Sequence, residues 1–559
     1  AAAMPVPDPK TLALKDRKDW KLLGRRVAGV DNKQVVTGAP LFGIDAAPAG
    51  LLYATYTKCP ALGGKPAKVN LDQIRARPGV KDAFVVEGNG KLDELLPGVA
   101  IVARSSWAAL SAKRALVIEW DENGASKDSS KTLAALAQTT MHQTAKQTLT
   151  DKGAVDGAFA AAAKIVEADY FYPFVAHVTM EPQTATVAPR EGGVEMWVSS
   201  QSPDRGIPVA AKAFGVPEDK VQVHAMRAGG GFGRRGHTDP IWEAVTIAKH
   251  MKAPVKLIWT REDDIAHDFF RPAGYHALKA SLDKGGKLTA WQDHFVTLSD
   301  DGKEPSDTAV YNLEEFPVPI TNNCRIQQTM LPWASRTGAW RSPRLAGQGF
   351  VIQSFVHELA LAGGRDHVEF LIEMLGESRW LKQGELTSIN TGRAAAVIRE
   401  AAKRAGWGKK LPKGRGLGLG FNFGSLGYVA EIADVSVNAN KKITIHNVTA
   451  VCDVGPLTAI SAAENQVEGS IIDSFSTMMG LEITFEQGRP QQTNFGDYPL
   501  LRMPNTFPVS VSFLQSDSHP TGLGEPAVPP LAGAIGNAIF AASGVRVRTM
   551  PLSKLGYTI

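Results

Sequence analysis

Residues 221–244 of this chain read Val221-Gln-Val-His-Ala-Met-Arg-Ala-Gly-Gly-Gly-Phe-Gly-Arg-Arg-Gly-His-Thr-Asp-Pro-Ile-Trp-Glu-Ala244. The segment Val221–Met226 alternates apolar and polar residues, a pattern that predicts a short strand. The loop Gly229–Gly233 then carries almost no side chains apart from Phe232. A strand followed by such a loop predicts a backbone that can approach another group closely.

A helix is predicted directly after this loop, because Thr238 and Asp239 supply N-cap oxygens and Pro240 suits the first helical position. We expect the helix to continue through Ala248. A strand, a glycine loop and a helix in this order bring bare backbone N–H groups close to an anion. A merely glycine-rich turn is the alternative, but four glycines within five residues carry an entropic cost that this alternative leaves unexplained.

The identity of the anion is open at this point. The run Gly231-Phe-Gly233-Arg-Arg-Gly236 matches G-x-G-x-x-G, and Glu262 lies at a suitable distance downstream for a dinucleotide-binding site. Two arginines inside the loop and the absence of an N-terminal βαβ pattern weigh against that interpretation. No Lys-Ser/Thr pair follows the glycines, so the motif is not a P-loop.

The overall composition is typical of a globular protein. The chain has 559 residues, which suggests two to four domains, with 44% apolar and 21% charged residues. The net charge is only +5, and dispersed Lys and Arg do not indicate nucleic-acid binding. No apolar run approaches the length of a membrane span, so the sequence predicts none in this chain.

The three cysteines are Cys59, Cys324 and Cys452. They lie far apart in sequence and show no C-x-x-C spacing. They cannot by themselves hold an iron–sulfur cluster or a structural zinc ion. We therefore interpret them as small buried residues.

The chain divides by pattern into an N-terminal extension, three domains and two connecting segments, which together predict a multidomain α+β protein. Within this division Val35–Asp45 is predicted as a strand and its turn, and Ala346–Ala362 as an amphipathic helix. The predicted boundaries are 1–22 for the extension, 23–121 for an α/β domain, 122–164 for a linker, 165–376 for the second domain, 377–413 for a helical connector and 414–559 for the third domain.

The most unusual C-terminal stretch is Thr521-Gly-Leu-Gly-Glu525-Pro-Ala-Val-Pro-Pro530. Glu525 has no cation nearby in sequence, so it is either a surface-loop residue or a buried base with a raised pKa. The segment Leu531–Ser543 predicts a helix with almost no polar face, which must be buried. A loop that leads into such a helix is expected to be partly buried too, which favours the base.

Three further features are candidates for a site. Gln201 follows a predicted strand, so its amide is expected to face a cavity. Arg341 lies beside Trp340 in the turn Gly338–Pro343 and is a candidate for binding an anion or a substrate. His177 and Glu181 have the spacing of helical metal ligands, but prolines on both sides break the helix, and we predict no metal site there.

Several of these motifs occur in one order that resembles a known family. Together they resemble the molybdenum-binding large subunit of the xanthine oxidase family, from Gly24-Arg-Arg to the end of the chain. The branch with the strongest resemblance is the isoquinoline 1-oxidoreductase β-subunit type, which includes bacterial membrane-associated aldehyde dehydrogenases. The motifs are Gly229-Gly-Gly-Phe-Gly-Arg-Arg235, Trp259-Thr-Arg-Glu-Asp263, Gly338-Ala-Trp-Arg-Ser-Pro343, Thr521-Gly-Leu-Gly-Glu-Pro526 and the segment from Asn537 to Leu552.

The resemblance implies a fold and a cofactor. The first domain would be hammerhead-like, and residues 165–376 and 414–559 would form two elongated molybdopterin-binding α+β domains. The implied cofactor is molybdopterin, in bacteria usually the cytosine dinucleotide form, with molybdenum held through the pterin and not by side chains.

The resemblance also assigns roles to individual residues. Glu525 would be the catalytic base that activates a water-derived oxygen for attack on an aldehyde or an N-heteroaromatic carbon. Arg341 and Trp340 would bind the substrate. The cofactor-binding residues would be Gln201, Gly229, Gly230, Gly231, Phe232, Gly233, Arg234 and Gly524.

Partners are implied as well. Because this chain has no cluster ligands, a small subunit with [2Fe–2S] clusters is expected to accept the electrons, with a c-type cytochrome subunit as a possible further partner. A Gly-x-Gly-Gln-type segment that grips the pterin in relatives is not found here, and we expect another polypeptide segment to supply it. The expected location is the periplasm or the periplasmic face of the membrane through a partner, with the cytoplasm as the alternative.

The expected reaction is oxidation of an aldehyde to a carboxylic acid with oxygen from water, and hydroxylation of an N-heterocycle is the alternative. Arg234 and Arg235 differ from the residues of the xanthine enzymes at these positions, which argues against a purine substrate. Two interpretations of other classes stay open, a Rossmann-type NAD dehydrogenase built on Gly231–Gly236 and a non-catalytic binding protein of the same fold.

Overall fold

The computed structural model describes residues 4–383, 385 and 387–559. Residues 1–3 of the predicted extension and residues 384 and 386 of the predicted connector lie outside the described residues. In chain order the described strands are β1 Leu52–Lys58, β2 Lys65–Val69, β3 Val80–Val86, β4 Gly98–Ala103, β5 Ile118–Asp121, β6 Gln147–Lys152, β7 Lys164–Tyr172, β8 Thr184–Arg190, β9 Gly193–Val198, β10 Val221–Ala225, β11 Val255–Ile258, β12 Gly274–Leu282, β13 Leu288–Ser299, β14 Cys324–Pro332, β15 Arg415–Gly424, β16 Gly427–Val437, β17 Ile443–Asp453, β18 Phe485–Glu486, β19 Arg489–Pro490 and β20 Val509–Phe513.

Side-chain caps begin several of the described helices. Ser105 accepts a hydrogen bond from the Ala108 N–H at the start of α3, and Thr260 forms a capping box with Asp263 at the start of α8. The helices are α1 Asn32–Val36, α2 Leu71–Arg75, α3 Ser106–Arg114, α4 Ser130–Thr140, α5 Val155–Ala160, α6 Gly206–Phe214, α7 Asp239–Met251, α8 Arg261–Ala266, α9 Leu345–Ala362, α10 His367–Leu375, α11 Thr391–Ala405, α12 Ile460–Gly480 and α13 Pro529–Ser543.

Three larger sheets organise the described residues. A seven-stranded mixed sheet has the order β10-β9-β8-β11-β1-β4-β3, a five-stranded sheet the order β6-β14-β13-β12-β7, and a four-stranded sheet the order β15-β16-β17-β20. Two-stranded ribbons pair β2 with β5 and β18 with β19. The seven-stranded sheet contains antiparallel neighbours such as β8 and β9, so it lacks the parallel order of a dinucleotide-binding fold.

The sheet topology divides the chain differently from the predicted boundaries. Strand β1 pairs with β11 in parallel, so the predicted first domain shares one sheet with residues 184–258. The predicted linker 122–164 contains α4, β6 and α5, and β6 pairs with β14 in the five-stranded sheet. Pairing between strands distant in sequence leaves no local pattern. The polar composition of 122–164 gives no signal for the edge strand β6.

Other local predictions have mixed outcomes. The strand, loop and helix around the glycines form as β10, the loop and α7, and the buried helix near the C-terminus forms as α13. The strand predicted over Val35–Asp45 is wrong, because α1 and a single 3₁₀ turn occupy that region. The helix α9 forms as predicted, but it is buried around nearly its whole circumference and is not amphipathic.

Glycines bring the helices close to the four-stranded sheet and to one another. A Cβ atom at Gly418 of β15 would lie 2.1 Å from the carbonyl oxygen of Ala534 in α13. A Cβ at Gly349 of α9 would lie 2.7 Å from Pro529, the first residue of α13. The N-terminal turns of α9 and α13 therefore meet, which brings together the two loops that lead into them.

No helix among the described residues combines the length and the apolar character needed to cross a membrane. The three cysteines are buried and unpaired, as the sequence predicts.

Candidate functional site

The glycine loop after β10 adopts a backbone that side chains would obstruct. Gly230 and Gly233 have φ angles of 97° and 112°, and Phe232 has a φ of 55°. A Cβ atom at Gly233 would lie 1.6 Å from the carbonyl oxygen of Ala339, which is far inside van der Waals contact. The glycine at position 233 is therefore required by both its own conformation and its neighbour.

The start of the loop is held by Glu181. Its carboxylate accepts hydrogen bonds from the backbone N–H of Gly229 at 2.8 Å and from that of Ile44 at 2.9 Å. Arg235 pairs with the same carboxylate at 3.0 Å and donates to the carbonyl oxygen of Gly230 at 2.7 Å. These contacts fix the path of the loop without using the N–H groups that follow Gly229.

The predicted contact between Arg234 and a cofactor is corrected by the structure. The Arg234 side chain is fully buried, donates two hydrogen bonds to Asp239 at 2.9 and 2.8 Å, and lies 3.1 Å from Asp268. Its guanidinium also lies 5.3 Å from the centre of the Trp259 ring. Burial opposes the charge, but Asp239 and Asp268 outweigh it and raise the pKa of Arg234. Arg234 anchors the end of the loop in the interior.

His177 extends this buried network to the next turn. Its Nδ1 lies 2.9 Å from Asp268, and its Nε2 lies 2.8 Å from the carbonyl oxygen of Ala339. Burial favours the neutral acid, but His177 and Arg234 outweigh it and lower the pKa of Asp268 to about 2. The His177 side chain thus contacts Asp268 and Ala339, whereas the Glu181 carboxylate holds Gly229, and the two side chains have no common partner in the part of the chain that the structure describes. Among the described residues there is no cluster of three or more His, Cys, Asp or Glu side chains suited to a metal ion.

Gln201 lies against the glycine loop, as a cofactor-facing amide would require. Its Oε1 accepts a hydrogen bond from the N–H of Gly233 at 3.0 Å, and its side chain is otherwise exposed. Its Nε2 donates to no atom in the described part of the chain. A Cβ at Gly231 would lie 2.7 Å from Oε1, so this contact also depends on glycine.

Three consecutive backbone N–H groups in the loop are available to a ligand. Those of Gly230, Gly231 and Phe232 donate to no protein acceptor among residues 4–383, 385 and 387–559. Unpaired N–H groups in a turn with positive φ angles form a concave site for an anion or an oxygen-rich group. Together with the free amide of Gln201 they fit the polar edge of an oxo-metal pterin cofactor.

Arg341 joins three segments at the edge of this loop. Its backbone N–H donates to the carbonyl oxygen of Phe232 at 2.8 Å, and its Nε donates to the carbonyl oxygen of Gly524 at 2.8 Å. Its Nη1 pairs with Asp473 of α12 at 2.6 Å, and its Nη2 donates to Gln466 at 3.2 Å. The Arg341 guanidinium group therefore connects α12 with the loop before α13, and the backbone of the same residue connects both with the glycine loop.

Glu525 is half-buried in the loop that leads into α13. Its carboxylate accepts one hydrogen bond, from Ser425 Oγ at 3.3 Å, and its carbonyl accepts the N–H of Val528 at 2.9 Å. Pro526 and the residues after it are buried, whereas Gly522 and Gly524 are exposed. The carboxylate thus lies at the boundary between the core and an accessible surface, in a loop that is partly buried as the sequence predicts.

A cavity of about 350 Å³ opens beside the glycine loop. Its apolar wall includes Val178, Phe232, Trp340, Leu481 and Leu500. Its polar lining includes His177 together with Asp473, Ser476 and Thr477 of α12. Trp340 is buried and lines this cavity, so it is placed where the predicted substrate contact requires.

Sequence reasoning missed the residues that hold the site together. Glu181, Asp268, Ser425 and Asp473 all contact a predicted site residue, yet each lies far from its partner in sequence. A partial signal existed at His177 and Glu181, because two polar residues between prolines in an apolar segment suggest a constrained turn. No local pattern identifies Asp473, which contacts Arg341 only through the packing of α12.

Comparison with known proteins identifies the family of the chain. Profiles of two families, each described as a molybdopterin cofactor-binding domain, match residues 138–328 and 383–506, together more than half of the chain. A membrane-bound aldehyde dehydrogenase [pyrroloquinoline-quinone] from Gluconacetobacter polyoxogenes is 28% identical, over 97% of this chain and 73% of its own length. The beta subunit of isoquinoline 1-oxidoreductase from Brevundimonas diminuta is 27% identical, over 97% of this chain and 69% of its own length.

Solved structures show the same architecture. Quinoline 2-oxidoreductase from Pseudomonas putida 86 superimposes with a TM-score of 0.75 at 14% identity, over 95% of this chain and 97% of that one. Aldehyde oxidoreductase from Desulfovibrio gigas superimposes with a TM-score of 0.74 at 15% identity, over 98% of this chain and 81% of that one. At this level of identity the likeness concerns the fold alone.

Proposed function

The chain belongs to the molybdopterin-binding large subunits of the xanthine oxidase family, and from this premise we propose that it oxidises an aldehyde to a carboxylic acid with water as the oxygen source. The family and the α+β molybdenum hydroxylase fold predicted from the ordered motifs are confirmed. The protein is a molybdopterin-dependent oxidoreductase subunit of the aldehyde dehydrogenase or heterocycle hydroxylase type.

The observation that carries the proposal is the meeting of the glycine loop and the Glu525 loop at Arg341. The free N–H groups of Gly230, Gly231 and Phe232, with Nε2 of Gln201, would hold the polar edge of the cofactor. When bound, the molybdenum–pterin group would supply the two-electron oxidant and the activated oxygen. The chain itself supplies the position of the cofactor, a walled cavity and a carboxylate.

Glu525 is the proposed proton acceptor. Its carboxylate has one hydrogen-bond donor, Ser425, and no cation paired with it among the described residues, so its oxygens remain available to receive a proton. Arg341 fixes the preceding residue, Gly524, and so determines where the carboxylate lies. We therefore revise the proposed role of Arg341 from substrate contact to holding the loop, while Trp340 forms part of the cavity wall.

An N-heteroaromatic substrate is the second candidate. The similarity to the isoquinoline 1-oxidoreductase chain is nearly the same as that to the aldehyde dehydrogenase, and the cavity wall is largely apolar and aromatic. Both substrate classes present an electrophilic carbon in an otherwise apolar molecule. The same site residues would serve either reaction.

The proposed partners follow from the relatives. Two of them are named as subunits of larger enzymes, an isoquinoline 1-oxidoreductase and a nicotinate dehydrogenase of Pseudomonas putida. We propose that a small [2Fe–2S] subunit accepts the two electrons, with a c-type cytochrome as a further carrier. The cytosine dinucleotide form of the cofactor, a separate Gly-x-Gly-Gln-type segment and a periplasmic location are part of the same proposal.

The test is to purify the intact complex with its co-purifying chains and to measure molybdenum, pterin and pyrroloquinoline quinone together with turnover. We expect about one molybdenum per chain, no quinone, and ¹⁸O from labelled water in the carboxylic acid formed from benzaldehyde. Isoquinoline is assayed in parallel to decide between the two substrate classes. A complex that oxidises benzaldehyde with bound NAD or quinone and without molybdenum contradicts the proposal.

A further inference from the structure

The described wall of the cavity beside the glycine loop contains one carboxylate, and that carboxylate neutralises a cation placed behind it. Asp473 lines the cavity and its side chain is 35% exposed, whereas the Arg341 side chain is 8% exposed. The Asp473 Oδ2 atom lies 2.6 Å from Arg341 Nη1. A molecule in the cavity therefore contacts the Asp473 carboxylate before it can contact the Arg341 guanidinium.

The other donors of Arg341 are directed away from the cavity wall. Nε donates to Gly524, and Nη2 donates to the carbonyl and side-chain oxygens of Gln466. Gly469, one turn before Asp473 on α12, lies against the guanidinium, because a Cβ there would be 3.8 Å from Nη1, an ordinary van der Waals distance. The charge of Arg341 is thus held in a fixed place by α12, with Asp473 as its only carboxylate partner among the described residues.

Among the residues that the structure describes, no other cation in the cavity wall is free to receive an anion. His177 is the one other titratable side chain in the described lining, and both of its ring nitrogens are engaged, by Asp268 and by the carbonyl of Ala339. Burial raises the pKa of Asp473, and the attraction of Arg341 opposes this shift. Burial already disfavours the negative charge of Asp473 itself, so a second negative charge, carried by a molecule in the cavity, is disfavoured further.

We propose that Asp473 is a specificity-determining residue that restricts the cavity to substrates without a negative charge, and that its removal makes the charge of Arg341 available to a carboxylate. This inference rests on the proposed function, because it takes the cavity as the substrate site. The selected class is an uncharged aldehyde or heterocycle, and the rejected class is the same molecule with a carboxylate group.

The experiment uses the intact molybdenum-loaded complex and a matched pair of substrates, benzaldehyde and 4-carboxybenzaldehyde. The wild-type complex is expected to favour benzaldehyde in kcat/KM by a factor on the order of ten, because Asp473 repels a second negative charge in the cavity and Arg341 behind it offsets only part of that repulsion. Asp473→Asn is expected to reduce this preference by about tenfold or to reverse it. The change should come mainly from a lower KM for 4-carboxybenzaldehyde.

Glu468→Gln is the matched control, because Glu468 is an exposed carboxylate on the same helix and lies outside the described cavity lining. It is expected to leave the ratio of the two kcat/KM values unchanged. A wild-type complex that does not discriminate, or an Asp473→Asn complex with the wild-type ratio, overturns the inference.

A binding measurement covers the case in which Asp473→Asn does not fold or no aldehyde is turned over. The wild-type complex is titrated calorimetrically with benzamide and with benzoate, and benzamide is expected to bind more tightly. Equal or tighter binding of benzoate overturns the inference. The absence of turnover with both aldehydes and with isoquinoline instead contradicts the proposed function, so the two failures are distinguishable.

Discussion

The Nε atom of Arg341 donates a 2.8 Å hydrogen bond to the carbonyl oxygen of Gly524, the residue that precedes Glu525. The backbone N–H of the same arginine donates to Phe232 in the glycine loop at the same distance. A single residue therefore sets the distance between the proposed cofactor cradle and the proposed base. The two loops come from widely separated parts of the sequence and meet because α9 and α13 pack side by side, with Gly349 against Pro529 and Gln353 against Gly533.

Replacing Arg341 with lysine tests this connection. A lysine ammonium cannot reach Gly524, Asp473 and Gln466 together, because it lacks the planar fork of a guanidinium. We expect Arg341→Lys to lower kcat by roughly 10- to 100-fold through misplacement of Glu525, with molybdenum content retained. Steady-state kinetics normalised to molybdenum measure this effect. The control is Arg415→Lys, because Arg415 of β15 forms an ion pair with Asp434 of β16. Equal losses of kcat in both variants would show that the contacts of Arg341 do not position Glu525.

Replacing Gly233 with alanine tests the backbone of the glycine loop. The added methyl group would overlap the carbonyl oxygen of Ala339 at a φ of 112°, so we expect Gly233→Ala to lose about 1–3 kcal/mol of unfolding free energy. The molybdenum content of the complex should also fall. Gly236→Ala is the matched control, because a Cβ there meets nothing within 4 Å. Normal cofactor content in Gly233→Ala would contradict the proposed cradle.

Replacing Arg234 with leucine separates anchoring from cofactor binding. Asp239 and Asp268 would then be buried without their cation, so we expect the free energy of unfolding to fall by about 3–5 kcal/mol even in the protein without cofactor. Chemical denaturation of the chain with and without cofactor measures this. Arg190→Leu, at an exposed position, is the control. A loss seen only in the cofactor-loaded protein would restore the cofactor contact that the sequence predicts.

The sequence predicts the elements that depend on local chemistry. The glycine loop between β10 and α7 and the buried helix α13 after Glu525 carry clear local patterns, and both form. The pairing of β1 with β11 and the position of β6 at the edge of the five-stranded sheet do not, because pairing partners distant in sequence leave no periodic signal. The same holds for Asp473, whose role exists only once α12 lies beside Arg341. The prediction for Arg234 is wrong because its sequence position beside the glycines gives no information on which way its side chain points.

The acid stability of the protein tests the environment of His237. Burial, with a further contribution from Arg234, lowers the pKa of His237 to about 3, whereas an unfolded histidine titrates near 6.5. Between these values the unfolded state binds the additional proton, so stability falls as the pH falls from 6.5 towards 3. His237→Gln removes this effect. We expect the stability of wild type relative to the variant to be about 2 kcal/mol lower at pH 5 than at pH 7.5.

Chemical denaturation across this pH range measures the difference for His237→Gln. The replacement of exposed His519 with glutamine is the control and should leave the pH dependence unchanged. A constant difference between wild type and His237→Gln from pH 4 to pH 7.5 would show that folding does not lower the pKa of His237.

Glu525 is the proposed proton acceptor for a reaction at a cofactor held by the glycine loop. The most direct test is the turnover of aldehyde per molybdenum in the intact Glu525→Gln complex, compared with wild type and with the exposed-surface control Glu191→Gln. We predict a loss of about 10²–10⁴-fold for Glu525→Gln, with normal molybdenum and pterin content and wild-type turnover in the control. Turnover per molybdenum close to the wild-type value in Glu525→Gln would contradict the account.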